Sequence, residues 1–188
     1  MKTENDSITP LYCTWSYRPR LPPTLHKRLR DLDHFLRELI VSAKSRILIV
    51  APYLSPAGVM SLRNALAVAA QNGAWIKLVT SDLDKRNGWN QRAIRELIDG
   101  KEGMIIRQRI RILSDTKESP VFIHAKVVVI DGERGYLGSA NLSRSGLSSN
   151  FEIGTALAHD QAETLDRLFS TFEADGLLAD CSNLSFQD

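Results

Sequence analysis

The stretch that decides the fold runs from residue 121 to residue 152 and reads VFIHAKVVVIDGERGYLGSANLSRSGLSSNFE. Its first part ends in a run of β-branched residues, which predicts a strand over Val121–Ile130. The letters DGERG that follow are typical of a hairpin turn, and a return strand is predicted to end at Gly138. Because side chains two apart on a strand share a face, His124 and Lys126 are predicted to lie side by side.

Short apolar runs alternate with amphipathic patterns on both sides of this stretch. Strands are predicted over Arg46–Ala51, Trp75–Thr80, Ile105–Leu113 and Phe151–Ala158, and helices over residues 24–44, 56–71, 89–99 and 160–174. The alternation predicts an α/β fold in which a mixed β-sheet carries helices on both faces, an α-β-α sandwich. We expect one domain over residues 24–175, an N-terminal arm over residues 1–23, and a C-terminal tail over residues 176–188.

Composition places the chain in an ordinary class. It has 188 residues, 43% hydrophobic and 24% charged, with a net charge of +2, which does not by itself indicate nucleic-acid binding. Cys13 and Cys181 have no metal or redox spacing and predict two unpaired thiols in a reducing compartment. No signal-peptide pattern and no apolar run of ~18 residues is present, so we expect a cytoplasmic protein without stable membrane association.

Two basic features bear on partners. Arg107, Arg109 and Arg111 share one face of the predicted strand Ile105–Leu113, at intervals of ~6.6 Å that are similar to phosphate spacing along a nucleic-acid strand. The arm interleaves aromatic and basic residues: Tyr12, Trp15, Tyr17, Arg18 and Arg20. Either feature could bind nucleic acid. Equally, the arginines could form a solvated or salt-bridged face, and the arm could pack on its own domain or on a second subunit.

The central stretch gathers the groups needed to bind and attack a tetrahedral anion. An imidazole is a good nucleophile near neutral pH, which makes His124 the candidate nucleophile, and Lys126 supplies a cation beside it. Ser139 and Asn141 offer a hydroxyl and an amide for the non-bridging oxygens, and Gly138 lets the backbone approach closely. Two carboxylates lie nearby in sequence: Asp131 is predicted to hold the turn, and Glu152 could orient an imidazole through its Nδ1–H.

The pattern His124-x-Lys126-x4-Asp131-x6-Gly138-Ser139-x-Asn141 resembles a complete HKD motif of the phospholipase D superfamily, and Glu152 resembles the glutamate that follows it in that family. The resemblance implies a phospholipase D-like catalytic domain and a metal-free, two-step reaction without a cofactor. In that reaction His124 attacks phosphorus and forms a phosphohistidine, while Lys126, Asn141 and Ser139 hold the phosphate oxygens. No carboxylate or histidine cluster has metal-ligand spacing, which agrees with this chemistry.

The implied reaction needs a second histidine, to protonate the leaving oxygen and then activate water. His26, His34 and His159 lack the lysine and the glycine-serine turn that follow His124, and surface roles are expected for them. The resemblance implies a homodimer that places two copies of the motif at one shared site. A different partner chain with its own motif is the alternative.

Three functions remain open at this point. The resemblance favours a nuclease acting on DNA or RNA, since short single-motif members of the superfamily are mostly nucleases. A phospholipid or cardiolipin hydrolase would need an apolar rim or a membrane anchor. Only the apolar residues of the arm support this function: Leu11, Tyr12, Trp15 and Leu21. A non-catalytic nucleic-acid-binding subunit, for example in prokaryotic defence, is the third.

Overall fold

The computed structural model describes residues 10–14, 23–26, 28–83, 88–115, 117 and 119–183. Within these residues, nine strands form one sheet. The strands are β1 (Leu11–Thr14), β2 (Leu29–Asp31), β3 (Arg46–Val50), β4 (Trp75–Thr80), β5 (Ile110–Ser114), β6 (Val127–Ile130), β7 (Arg134–Gly138), β8 (Glu152–Leu157) and β9 (Ala179–Asp180). The helices are α1 (Pro23–His26), α2 (Leu32–Val41), α3 (Pro56–Gln71), α4 (Trp89–Ile98), α5 (Gly100–Arg107) and α6 (His159–Ala174), with a π-helical turn at Ser145–Ser149.

The sheet is mixed, with the strand order β2-β1-β8-β7-β6-β3-β4-β5-β9. Strands β3, β4 and β5 run parallel, whereas β6 is antiparallel to β3 and begins where β3 ends, with Val127 opposite Val50. The β6–β7 hairpin then pairs with β8, which is also antiparallel. We call the end of the sheet where β3, β4 and β5 finish and β6 begins the carboxyl edge, and the opposite end the amino edge.

Helices cover both faces of the sheet, and the strands bury side chains on both. In β3, Ile47 and Ile49 belong to the core beneath α2, α3, α4 and α5, while Leu48 and Val50 belong to a second core beneath α6. This alternation follows from the period of two along a strand. The predicted α-β-α sandwich is confirmed.

The predicted helix over residues 24–44 is wrong in its extent. The Asp31 side chain accepts a hydrogen bond from His34 N at 2.8 Å and caps α2, which therefore begins only at Leu32. Asp31 and the two residues before it form β2, which pairs in parallel with β1. Propensity favoured a continuous helix, and strand pairing overrides it.

The predicted strand over Ile105–Leu113 is wrong in its first half, because β5 begins only at Ile110, and the three arginines therefore do not lie on one strand. Ile106 is fully buried in the core as part of α5, and Arg107 is the last residue of that helix. Gly100 takes a left-handed φ of +68°, which allows the sharp α4–α5 junction. Gly100 therefore joins two short helices where the sequence predicted the end of one.

The sheet also extends past both predicted domain boundaries. Strand β1 lies within the predicted arm and pairs with β8 through Tyr12 and Gly154, while β9 lies within the predicted tail and pairs with β5. Tyr12 is buried and stacks on Phe35 with ring centroids 3.7 Å apart. The other aromatic and basic residues of the arm lie outside the described residues: Trp15, Tyr17, Arg18 and Arg20. Among the helices that are described, none has the length and apolar composition to cross a membrane.

Candidate active site

The carboxyl edge brings His124 and Lys126 into direct contact. The imidazole is exposed, and its Nδ1 and Nε2 atoms lie 3.2 and 3.4 Å from the Lys126 amine. The same amine donates to the carbonyl oxygen of His124 at 2.7 Å. The predicted strand from Val121 is shorter than expected, since β6 begins only at Val127. Both residues lie in the irregular segment that precedes the strand, and they meet because the Lys126 side chain reaches back to the backbone of His124.

Lys126 is a buried cation, with 9% of its surface exposed. Burial lowers the pKa of its amine, because the charged form is poorly solvated, while the negative charge of Glu152 opposes that shift. Lys126 therefore lies close enough to Glu152 for the two charges to interact. The site holds an amine whose charge is costly to bury and is available to a phosphate.

Glu152 is held by neighbouring polar side chains. Ser139 Oγ donates to one carboxylate oxygen, and Asn150 Nδ2 donates to the other at 3.1 Å. The backbone nitrogen of Ile153 also donates to Ser139 Oγ at 3.1 Å. Within the described chain, the carboxylate therefore bonds to Ser139 and Asn150, whereas the sequence analysis offered an imidazole as its partner.

Gly138 has a packing reason to lack a side chain. Its backbone nitrogen donates to Lys126 O at 3.2 Å, and a Cβ atom there would overlap the hydroxyl of Tyr136. A Cβ at Gly154, across the sheet, would overlap the same ring. Burial raises the pKa of the Tyr136 phenol to about 12. Gly138 thus makes room for a buried tyrosine beneath the site, a role that sequence reasoning did not assign.

Asn141 carries an unsatisfied amide oxygen. Its Oδ1 is buried and has no hydrogen-bond partner in the structure. A buried oxygen without a hydrogen-bond donor costs free energy of folding, and a donor on a bound ligand would remove that cost. Turning the amide by 180° would present its NH₂ group instead, which can donate to a phosphate oxygen.

Asp131 lies at the amino edge, at the other end of β6. Its carboxylate accepts hydrogen bonds from the backbone nitrogens of Lys44, Ser45 and Arg46 at 2.8–2.9 Å, and from Ser45 Oγ at 2.8 Å. Burial by itself would raise its pKa, but these donors outweigh burial and lower the pKa to about 2. Lys126 and Asp131 are separated by about 16 Å of extended chain. The carboxylate ties the β6–β7 turn to the start of β3.

The three arginines lie apart from this cluster. Arg107 ends α5, and Arg109 stacks over Trp75 with its guanidinium 5.2 Å from the ring centre. Arg111 forms ion pairs with Glu173 and Asp180. These residues sit at or near the start of β5, which is the amino edge. They do not form a common face and do not surround His124.

Two aromatic residues that sequence reasoning missed flank the imidazole. The Phe122 ring lies 6.1 Å from it in a nearly parallel orientation, and the Tyr53 ring lies 6.3 Å from it, edge-on. Both are well exposed, at 63% and 49%. Phe122 could have been found from its position two residues before His124, which puts both on one side of an extended segment. Tyr53 follows β3 and carried no sequence signal.

Among the histidines whose side chains are described, only His124 lies at the carboxyl edge. His34 pairs with Glu38 on α2, and His159 begins α6 beyond the amino-edge end of β8; the side chain of His26 is not described. No group of three or more described His, Cys, Asp or Glu side chains is arranged to hold a metal ion. Among the described residues, one histidine therefore occupies the site.

Comparison with known proteins identifies the family of this chain. Residues 36–175 match the family model described as "Cardiolipin synthase, PLD-like domain". The probable cardiolipin synthase YwiE of Bacillus subtilis (strain 168) is 29% identical over 154 residues, which are 81% of this chain and 28% of the relative. The chain thus spans about a quarter of the length of the curated relatives it matches.

Solved structures share the fold. The phospholipase D family member Nuc from Salmonella typhimurium superposes with a TM-score of 0.57 at 22% identity, over 80% of this chain and 90% of that one. NucT from Helicobacter pylori superposes with a TM-score of 0.52 at 17% identity, over 78% and 89% of the two chains. The region matched by the family model, residues 36–175, contains β3 to α6 and hence His124, Lys126, Gly138, Ser139, Asn141 and Glu152. This chain belongs to the phospholipase D superfamily.

Proposed function

We propose that this chain is a metal-independent phosphodiesterase that hydrolyses nucleic-acid phosphodiester bonds through a phosphohistidine on His124. The observation that carries the proposal is an exposed imidazole with a buried ammonium group 3.2 Å from its Nδ1 atom. A phosphate attacked by that imidazole would bring its non-bridging oxygens within reach of the amine. Fixed charge placed where negative charge develops is the largest single contribution to many enzymatic rate enhancements.

The reaction proceeds in two steps, each of which forms one bond to phosphorus and breaks another. In the first, an imidazole nitrogen forms a bond to phosphorus as the bond to the leaving oxygen breaks, and a second histidine donates a proton to that oxygen. In the second, the same histidine takes a proton from water, the water oxygen bonds to phosphorus, and the phosphorus–nitrogen bond breaks. Lys126 and Asn141 hold the non-bridging oxygens throughout. Glu152, fixed by Ser139 and Asn150, keeps a negative charge beside Lys126.

The second histidine comes from a second copy of the chain. A two-fold axis beside the carboxyl edge would bring two His124 side chains to one phosphorus atom. Mixing wild-type protein with His124→Ala tests this arrangement. After the subunits exchange, the activity of an equal mixture is compared with that of the same total amount of wild-type protein. It should be about one quarter if both histidines serve one site, and about one half if each subunit works alone. Sizing in solution provides the independent measurement.

A nucleic acid fits the surroundings of His124 through its bases. The exposed rings of Phe122 and Tyr53 lie on two sides of the imidazole, and a ring face that stacks on a base contributes about 1–3 kcal/mol per base. The arginines of the amino edge no longer support this substrate, because they are paired or remote from the site.

The decisive experiment is cleavage in excess chelator. Labelled single-stranded DNA, duplex DNA and RNA are incubated with the wild type, with His124→Ala, and with His159→Ala as a control that removes an exposed histidine away from the site. We expect chelator-resistant cleavage that His124→Ala lowers by at least ~10³-fold and His159→Ala leaves unchanged. Equal loss in both variants, or cleavage that the chelator abolishes, would refute the proposal.

Phospholipid headgroup chemistry is the second candidate, and the names of the curated relatives favour it. Exposed apolar side chains near the carboxyl edge could also contact a bilayer: Phe122, Leu137, Phe151 and Ile153. Vesicles containing phosphatidylglycerol and cardiolipin therefore belong in the same assay. Turnover of these lipids without nucleic-acid cleavage would establish this candidate. Binding of nucleic acid without cleavage of any substrate would indicate a non-catalytic subunit.

A further inference from the structure

The residues that present His124 are not held by a strand. Residues 121–126 precede β6, and side chains from other parts of the chain fix the Ile123 peptide just before the histidine. Its nitrogen donates to Asp115 Oδ2 at 2.9 Å, and its carbonyl accepts from Ser81 Oγ at 3.0 Å. The Ile123 side chain is also buried, in the core beneath α6. The backbone on which the imidazole is mounted is therefore fixed from both sides.

Asp115 is the centre of this arrangement. It follows β5 and is 7% exposed. One carboxylate oxygen accepts from Ile123 N, and the other accepts from Asp82 N at 3.3 Å. Ser81 Oγ lies 3.0 Å from the first carboxylate oxygen, so its single proton is shared between that oxygen and the Ile123 carbonyl. A buried carboxylate is costly unless donors satisfy it, and here the donors come from the ends of β4 and from the His124 segment. The carboxylate joins elements that are not adjacent in sequence.

A second buried side chain extends the same scaffold to Tyr53. Asn90 is 6% exposed; its Oδ1 accepts from Leu54 N at 2.7 Å, and its Nδ2 lies 2.7 Å from both Pro52 O and Ser81 O. The turn that carries Tyr53 and the residue that holds Ile123 are thus fixed by one amide. Hydrogen bonds of Asn90, Ser81 and Asp115 thus link the segment that carries Tyr53 to the segment that carries His124.

We propose that Asp115 is a positioning residue, which orients the His124 imidazole by holding the Ile123 peptide. The proposal rests on the proposed function, in which that imidazole attacks phosphorus. Catalytic groups need to be held within about 0.5 Å of the productive geometry, and a misplacement of about 1 Å can cost ~10²-fold in rate. Asp115 touches neither substrate nor imidazole, so its loss should lower kcat and leave KM within about twofold.

The test compares four variants. Asp115→Ala removes both acceptors, whereas Asp115→Asn can still turn its one amide oxygen to Ile123 N and should rescue most of the lost activity. Ser81→Ala removes the hydroxyl that lies 3.0 Å from both the Ile123 carbonyl oxygen and Asp115 Oδ2, but it keeps the bond from Ile123 N to Asp115. It is the milder variant should Asp115→Ala fail to fold. Ser114→Ala is the matched control: Ser114 is also buried, and its hydroxyl bonds to Asp115 and to Leu83 N rather than to the Ile123 backbone.

Two readouts separate positioning from folding. We expect kcat to fall about 10²-fold in Asp115→Ala, to recover to within about tenfold of wild type in Asp115→Asn, and to stay within about twofold in Ser114→Ala. Amide exchange at Ile123 and the imidazole NMR signals of His124 should change in the same order, while the amides of β3 stay protected. These signals report position whether or not the protein cleaves nucleic acid, so an inert wild type would contradict the proposed function alone. Unchanged Ile123 exchange and His124 signals in both Asp115→Ala and Ser81→Ala, or equal loss of kcat in Ser114→Ala, would overturn the inference.

Discussion

Replacing Asp131 by asparagine should destabilise the protein and leave its chemistry intact. The carboxylate accepts hydrogen bonds from three consecutive backbone nitrogens and one hydroxyl, all at 2.8–2.9 Å. An amide of the same size offers one acceptor instead of two and turns its NH₂ group toward a backbone N–H. Asparagine tolerates the positive φ of 58° at this position, so the substitution adds no backbone strain.

The expected cost follows from the pKa of Asp131. A pKa of about 2 in the folded protein, against an ordinary 3.8, corresponds to about 2.4 kcal/mol. Solvent screening of this partly exposed carboxylate reduces that value to about 1–2 kcal/mol. The opposed N–H groups in the variant add to the loss, so we expect about 2 kcal/mol in total. For a chain of this length, such a loss lowers Tm by about 4–8 °C.

The pH dependence has a definite sign. Because folding lowers the pKa of Asp131, its contribution is fully present above pH 3.8 and is lost as the pH falls toward about 2. The difference in unfolding free energy between wild type and Asp131→Asn should therefore be constant near neutral pH and should shrink below pH 4. Urea unfolding at several pH values measures it, with Glu133→Gln as a control that removes an exposed charge from the same turn.

Activity provides the refuting result. Measured well below Tm, kcat of Asp131→Asn should stay within about twofold of wild type, because the carboxylate lies about 16 Å along the strand from Lys126. A drop of tenfold or more in a folded variant would mean that Asp131 takes part in the chemistry. An unchanged Tm would mean that its four hydrogen bonds contribute no stability.

Three other substitutions probe the carboxyl edge. Lys126→Met should lower kcat by about 10²-fold or more. Its Tm at pH 7 should equal or exceed that of the wild type, because the substitution removes a charge that is costly to bury. This difference in Tm should shrink as the pH rises, because the wild-type amine then loses its proton. Glu152→Gln should lower the pKa of Lys126 further, since the Glu152 charge raises it, and a ¹³C NMR titration of the lysine would detect the shift. Gly154→Ala should cost about 1–3 kcal/mol in urea unfolding, because the added methyl overlaps the buried Tyr136 ring; an unchanged unfolding midpoint would contradict that packing.

Sequence patterns predicted the elements whose signals are local and strong. Strand β3 is a continuous apolar run, and α3 begins at Pro56 and ends before Asn72, as the proline and the Asn-Gly pair indicate. The strand predicted around Ile106 was wrong because the same pattern of isoleucines and polar residues also fits a short helix followed by a strand. Period-two reasoning cannot separate the two when the helix has only eight residues.

The scaffold beneath the site could not be predicted from the sequence. Ser81, Asn90 and Asp115 are common polar residues in separate parts of the chain, and each alone reads as a loop or helix residue. Their burial and mutual hydrogen bonds arise only when β3, β4 and β5 end at the same edge. The motif residues were found because their spacing is local, whereas the residues that position them are fixed by tertiary structure.

The hairpin explains why the motif has its spacing. Strand β6 runs from the carboxyl edge after Lys126 to the amino edge, where the chain turns at Asp131. Strand β7 then runs back, so that Gly138 lies beside Lys126. Asp131 lies seven positions after His124 and seven positions before Gly138. A one-residue change in either arm would move every later side chain to the opposite face. The aspartate therefore belongs to the motif because it fixes the turn on which both arms depend, and the chemistry stays at the edge where the two arms meet.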